Sequence, residues 1–507
     1  MNVHRSFAIC RSAWAETQLR CLPHTSPLPA VALSAATIGL PFRLLLGSSV
    51  LLGSSVLLGF SMLLGFSIAP AADPRPPERP GGESNGVTKT ALDHYVARPQ
   101  PRYAWTIDDR NQTPGLTRLD VTLTSQEWHD TVWTHAVRLF RPDELRHRDT
   151  AILFVNGGAN GRTPGADIDA ACISLAALSG MPVVAIFQVP NQPLLGDRYE
   201  DALIAETWLR YLDSEDETWP LLFPMVNSAV KAMDCVGEIA RQEFGGPIDR
   251  FVITGASKRG WTSWLTAAAD PRIIGTAPMV IDTLNFRVQM HDQQATWGFL
   301  SEQIDDYTRA GLINLDRESA PERKLRLMMD PHAYRERLTV PKLMVHGTND
   351  RYWRVDALKN YWDDLSQPKN VLNIPNAGHS LGGGQLQVIE TVAAFAQHCA
   401  DGAAMPQITW EYECDAEIRR FRMRATADRP PTRAHFWVAF SPTRDFREAR
   451  WEPASDRGPS ADPLELRVDV PPRQHVAAFA ELRFAAEQDR NAFRLSTGVV
   501  QPDWAEE

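Results

Sequence analysis

Apolar residues in the middle of the chain fall into short continuous runs, each closed by glycine, proline or a polar turn. Ala151–Asn156, Pro182–Val189, Arg250–Thr254, Ile273–Ile281, Pro341–His346 and Asn370–Ile374 are six of them. Runs of this length and purity suit strands covered on both faces, as in a parallel sheet. Leu119–Thr124 and Thr131–Phe140 read instead as two antiparallel strands ahead of that set. Helical spacing appears between the runs. Val226, Val230, Met233, Val236, Ala240 and Phe244 share one helical face, and Gly245-Gly246 stops the helix. Ala357–Leu365 and Gln385–Cys399 read as two more helices. Strands alternating with helices predict a doubly wound α/β domain over residues 91–404, with a mostly parallel central sheet and helices on both faces.

Two stretches break the alternation. Residues 287–335, rich in Gln, Asp, Glu and Trp, read as an insertion between two late strands, with a helix at Trp297–Ala310. Such an insertion is either a lid over a site or a surface excursion. From residue 405 to 507 the pattern turns to two-residue alternation. It appears at Ile408–Tyr412, Ile418–Ala425, Ala434–Phe440, Leu464–Val470 and Ala477–Phe484, with Pro, Asp, Arg and Gly between. That pattern predicts an all-β, sandwich-like C-terminal domain.

The N-terminal 72 residues carry no such texture. Four copies of a six-residue apolar unit (LLGSSV, LLGSSV, LLGFSM, LLGFSI) run from Leu45 to Ile68 behind Arg43. Ala69-Pro70-Ala71-Ala72 follows, then a Pro-rich linker over 73–90. A positive flank, an apolar run and a small-residue site are the parts of a secretory signal. Export to a periplasmic or extracellular space is therefore expected, with the cleavage site left open. The run is also long enough to span a bilayer if left uncleaved, and this would be the chain's only route to a membrane.

Composition narrows the function classes. The chain has 507 residues and a net charge of −10, without a basic stripe or Lys/Arg run, which argues against a nucleic-acid partner. Six cysteines, Cys10, Cys21, Cys172, Cys235, Cys399 and Cys414, form no CxxC pair. Neither a zinc site nor a disulfide framework is expected from that scatter. Buried free thiols are the favoured reading, although Cys399 and Cys414 could pair in an oxidising compartment. His291, His346 and the Glu302/Asp305/Asp306 group lack metal-ligand spacing and read as lid or rim residues, so no metal or cofactor is expected.

The chemistry is carried by Ser257. It stands in Gly255-Ala256-Ser257-Lys258-Arg259-Gly260, between the strand RFVIT and a helical segment. Strand, tight turn and helix form the context of a nucleophile elbow, although the usual second glycine of G-x-S-x-G is here Arg259. Asp350 follows the strand PKLMVH, and His379 follows VLNI. The chain order Ser, Asp, His and the position after strand ends fit an α/β-hydrolase fold. A Ser hydroxyl is a weak nucleophile and needs a neutral imidazole to take its proton. A carboxylate fixes the imidazole tautomer and stabilises the imidazolium. The backbone N–H of Lys258 is one candidate oxyanion donor, and Gly158 or Ala159, after the strand AILFV, would supply another. Asp282, after the fourth run, competes with Asp350 for the acid role. The candidates thus describe a serine hydrolase acting on a small-molecule or peptide substrate. A secreted binding or signalling protein on the same fold is the alternative.

Several longer segments carry a resemblance. QVPNQPL (Gln188–Leu194), EDALIAETW (Glu200–Trp208) and PMVNSAVKAMD (Pro224–Asp234) are three. GASKRGWTSW (Gly255–Trp264), PMVIDTLNF (Pro278–Phe286) and HGTNDRYW (His346–Trp353) are three more. Together they resemble the PhoPQ-activated pathogenicity-related protein family over roughly residues 90–500. The resemblance implies an exported α/β-hydrolase domain with a β-rich tail, and Ser257, Asp350 and His379 as its triad. It supplies no substrate.

Overall fold

The computed structural model describes residues 89–457, 463–486 and 490–503, all within one compact unit. The signal and linker segments read from the sequence lie outside the described residues, apart from the linker's last two. A thirteen-stranded sheet forms the centre. Its antiparallel edge consists of β1 (Ala104–Thr113), β2 (Leu116–Trp128) and β3 (Thr131–Pro142). The parallel part follows in the order β5 (Val183–Ile186), β4 (Thr150–Val155), β6 (Arg250–Ala256), β7 (Ile273–Met279), β8 (Lys342–Gly347) and β9 (Lys369–Ile374). The six apolar runs supply these six strands, and their side chains are almost all buried. This is the α/β-hydrolase arrangement. Because β4 and β5 exchange places relative to chain order, the loop after β4 lies beside the turn after β6.

Helices cover both faces. They are α1 (Ala91–Val96), α2 (Ala166–Ser179), α3 (Glu200–Ser214), α4 (Leu222–Glu243) and α5 (Lys258–Ala269), with α9 (Gln385–Asp401) near the end. The 22-residue α4 carries the apolar face read from Val226 to Ala240 into the core. Between β7 and β8 the insertion folds as α6 (Phe286–Trp297), α7 (Asp305–Arg309) and α8 (Ala320–Met329). The helix expected at Trp297–Ala310 forms only as the short α7 at its C-terminal end. Gly298, with φ 80°, ends α6, and the Ser301 hydroxyl caps a new 3₁₀ turn. Ala357–Leu365 is likewise not a helix but a single 3₁₀ turn at Ala357–Asn360. Its later carbonyls are taken by side chains: Asn285 donates to Asn360 O, and Lys369 Nζ to Trp362 O and Leu365 O.

The C-terminal residues are all β, as expected. β10 (Ile408–Asp415), β11 (Arg420–Ala427) and β14 (Leu464–Asp469) form a three-stranded antiparallel sheet. β12 (Arg433–Ser441), β13 (Glu452–Arg457), β15 (His475–Phe484) and β16 (Phe493–Ser496) continue the central sheet, with β16 against β9. Phe421, Met423 and Ala425 of one sheet and Phe436, Ala478 and Leu482 of the other share one apolar cluster, as in a sandwich. All four described cysteines are free thiols. Cys172, Cys235 and Cys399 are buried, but Cys414 is exposed on β10, which differs from the buried-thiol reading.

The strand-to-helix turn after β6 sets the tightest packing. A Cβ on Gly255 would stand 2.7 Å from the Arg259 carbonyl, and one on Gly260 would stand 2.8 Å from Ile281 Cγ2 and 3.0 Å from Met279 O. The small residues the turn needs are therefore at 255 and 260, which explains why position 259 tolerates Arg. Gly260→Ala is expected to cost about 1–3 kcal/mol of stability by overpacking. Urea unfolding would measure it, and an unchanged midpoint would contradict the close approach.

Candidate functional site

Ser257 is held at φ 57° and ψ −125°, outside the regions that L-residues ordinarily occupy. Such strain costs on the order of 1–3 kcal/mol and persists only where neighbours enforce it. Here Ser257 N donates to Met279 O at 2.8 Å, and Trp261 N donates to Ser257 O at 2.9 Å. The turn thus lifts Ser257 to the carboxyl edge of the sheet. The Lys258 N–H opens α5 with no acceptor among the described residues, the position an oxyanion donor needs.

The loop after β4 lies beside it. Gly158 has φ 121°, which favours glycine. The carbonyls of Asn156, Gly157 and Gly158 accept from Val189 N, Gln188 N and Gln192 Nε2. The N–H groups of Gly157, Gly158 and Ala159 have no acceptor among the described residues. Arg259 locks this loop to the turn. Its guanidinium lies where a Gly157 Cβ would stand, its Nε donates to Val189 O at 2.6 Å, and it grips Glu200 with two bonds of 2.7 Å. Burial would raise the Glu200 carboxyl, but Arg259 and Lys258 outweigh it and hold the group at about 2. Nothing in the sequence pattern marked Arg259 or Glu200 for this work.

Asp350 and His379 meet. His379 Nδ1 lies 2.8 Å from Asp350 Oδ2, and Tyr352 N donates to Asp350 Oδ1 at 3.0 Å. An ionised carboxylate can only accept, so Nδ1 carries the proton and Nε2 presents its lone pair. Asp350 is 6% exposed. Its loop and that of His379 are laced together by Asn349 N to Ala377 O (2.9 Å) and Asn376 N to Thr348 Oγ1 (2.9 Å). Both loops are also tied to the C-terminal region. Asn349 Nδ2 donates to Ala449 O at 2.7 Å, and Asn376 exchanges bonds of 2.9 and 2.8 Å with the Trp451 backbone.

Ser257 Oγ makes no hydrogen bond to His379 among the described residues. The Tyr352 ring lies against the imidazole, with centroids 4.4 Å apart. Asp282, the competing acid, does not reach His379. It is buried, accepts from Tyr361 OH at 2.7 Å, and faces His346 Nε2 at 3.9 Å. Burial raises its carboxyl. His346 is itself buried in β8, not at the rim.

A cavity of about 150 Å³ opens at the turn. Ser257 and Lys258 line it together with α5, Tyr352, Trp353 and much of the 287–335 insertion; Asp350, His379, Gly158 and Ala159 do not. The insertion is fastened over it. Ser301 Oγ donates to Arg351 O at 2.7 Å, and Gln293 Nε2 to Tyr352 O at 3.0 Å. Glu302 takes Arg351 at 2.7 Å and Arg447 at 2.8 Å. Burial works against the charged Glu302 carboxyl, yet its own backbone N–H and the two arginines hold it at about 2.

A family model described as PhoPQ-activated pathogenicity-related protein matches residues 92–447. The autocrine proliferation repressor protein A of Dictyostelium discoideum is 32% identical over 390 residues, covering 71% of this chain and 76% of that protein. Among solved structures, acetyl xylan esterase 1 from Thermoanaerobacterium sp. aligns with a TM-score of 0.42 at 18% identity, over 61% of this chain and 93% of its own. A glucuronoyl esterase from Solibacter usitatus aligns with a TM-score of 0.39 at 13% identity, over 61% and 91%. Among the described residues no helix is long and apolar enough to cross a membrane.

The Glu302 clamp is testable. A carboxyl depressed in the folded state contributes stability above about pH 4.5 that is lost as pH falls through about 2. At pH 6, Glu302→Gln is expected to raise amide hydrogen exchange across residues 298–312. Exchange equal to wild type would show that the clamp does not hold the insertion.

Proposed function

The chain belongs to the PhoPQ-activated pathogenicity-related protein family, and from that premise we propose that it is an exported serine hydrolase cleaving an ester or amide. The observation that carries this reading is the 2.8 Å Asp350–His379 bond, made at the same sheet edge as the strained Ser257 turn. In the proposed cycle, Ser257 Oγ attacks the substrate carbonyl carbon and gives its proton to His379 Nε2. The tetrahedral oxyanion is received by the N–H of Lys258 and that of Gly158 or Ala159. Losing one such donor typically costs about 3 kcal/mol in the transition state. The imidazolium, stabilised by Asp350, then protonates the leaving oxygen or nitrogen as its bond to the carbonyl carbon breaks. Water, activated by the same imidazole, releases the acid and restores Ser257. Catalytic hydrogen bonds often tighten only with substrate bound, so the Ser257–His379 bond is proposed to form in the substrate complex.

Two observations favour a second reading. Ser257 and His379 are not hydrogen-bonded, and the related Dictyostelium protein is named a proliferation repressor. On this reading the chain is a secreted signalling protein that keeps the fold without turnover. A cellular effect retained in full by Ser257→Ala would favour it.

Two measurements test the hydrolase and a third tests export. An alkyl fluorophosphonate is expected to label Ser257, and Ser257→Ala to abolish labelling; equal labelling of the variant would remove Ser257 as nucleophile. Asp350→Asn is expected to lower kcat by on the order of 10⁴-fold through the wrong imidazole tautomer, with little change in substrate binding. For export, N-terminal sequencing of protein recovered outside the cytoplasm should begin at Asp73.

A further inference from the structure

The cavity beside Ser257 is apolar in a way that specifies what it takes. Trp208, Trp261 and Phe286 form one wall, their rings edge-on at 6.0 Å (Trp208–Trp261) and 5.2 Å (Trp261–Phe286). Leu312, Leu315 and Leu325 of the insertion form the wall opposite. Four of the charged groups on the lining form ion pairs with one another, and the other two bond to the main chain. Asp201 holds Lys258 Nζ at 2.8 Å and accepts from Tyr307 OH at 2.8 Å. Glu318 holds Arg326 through bonds of 2.7 and 2.9 Å. Glu322 accepts from Ser319 N at 2.6 Å, and Arg287 donates to Leu315 O at 2.9 Å. Beside Ser257 a charged ligand group would have to displace the Asp201–Lys258 pair, at the cost of leaving a partly buried charge unpaired. A hydrocarbon leaves that pair in place and gains the burial of its surface.

The position of the cavity decides which half of the substrate enters it. His379 must hand its proton to the leaving group, so that group has to lie on the imidazole side. Ser257 and Lys258, the attacking residue and an oxyanion donor, border the cavity, whereas His379 does not. Resting on the hydrolase reading above, we infer that the cavity between α5 and the insertion is the acyl subsite, and that the substrate is an ester of a bulky, uncharged acid, medium-chain aliphatic or aryl. The alcohol half stays outside the cavity. The insertion residues Leu312 and Leu315 then set the acyl length.

The experiment uses the full chain and p-nitrophenyl esters from acetate to decanoate, with fluorophosphonate labelling of the same samples. In wild type, kcat/KM is expected to rise roughly four-fold per added methylene, the ~0.8 kcal/mol of burying one CH₂, until the cavity is full. Leu315→Trp is expected to lower the octanoyl-to-acetyl ratio of kcat/KM at least ten-fold. Leu312→Ala, which enlarges the cavity, moves the optimum to longer chains. A flat or acetyl-preferring profile in a protein that labels at Ser257 overturns the acyl assignment alone. So does an unchanged profile in both variants. Failure of Ser257 to label overturns the hydrolase reading, and the acyl assignment falls with it.

Discussion

The turn at Ser257 exists because the backbones of β6 and α5 approach within a distance that admits no side chain at Gly255 or Gly260. That approach forces Ser257 into a left-handed conformation and leaves the Lys258 N–H without a helical partner. Every other part of the candidate site is arranged around these two facts. The exchanged order of β4 and β5 brings a glycine-rich loop to the hydroxyl on one side. β8 and β9 deliver a carboxylate and an imidazole to the same edge. The strain at one residue is small beside the packing that imposes it: Trp264, Leu265 and most of α5 are buried against the sheet.

Rigidity at the edge comes from contacts that join distant parts of the chain. Arg259 ties α5 to the loop after β4 and to the start of α3. Asn349 and Asn376 tie the loops of Asp350 and His379 to the segment around Ala449 and Trp451. The insertion, through Ser301 and Glu302, grips the backbone and side chain of Arg351, next to Asp350. Except for the exposed Glu302–Arg351 pair, each of these has at least one member shielded from water, where such bonds hold geometry best. Fixed dipoles and fixed loops are what acyl-transfer chemistry requires, since donors that must reorganise lose most of their advantage.

Much of this was legible in the residues. Strands covered on both faces must be apolar throughout, so β4 to β9 announce themselves, and the turn residues between them place Ser257, Asp350 and His379. What was not legible depends on partners far away in sequence. The 357–365 stretch has helical spacing, yet Gln289 and Asn285 take the Ala357 and Asn360 carbonyls that a helix would use. Gly298 and Ser301 divide what reads as one helix at 297–310. The bracing of the Asp350 and His379 loops by residues 447–451 leaves no periodic trace, because it runs through main-chain carbonyls any residue could provide. Arg259 reads as a defect in a motif until Gly157 is seen beneath its guanidinium.

The pairing of β16 with β9 has a bearing on how the molecule is made. β9 leads directly into the His379 loop, and its outer neighbour is supplied by Ser496, near the chain's end, with Asn373 N donating to Ser496 Oγ at 3.0 Å and Asn373 Nδ2 to Thr497 O at 2.9 Å. Until residues 493–497 are in place, the strand leading to His379 has an open margin with the Asn373 amide unmet. Folding of the β-rich segment and closure of the sheet beside the His379 loop are therefore linked, and a chain cut short before residue 493 would lack both the finishing strand and a quiet edge.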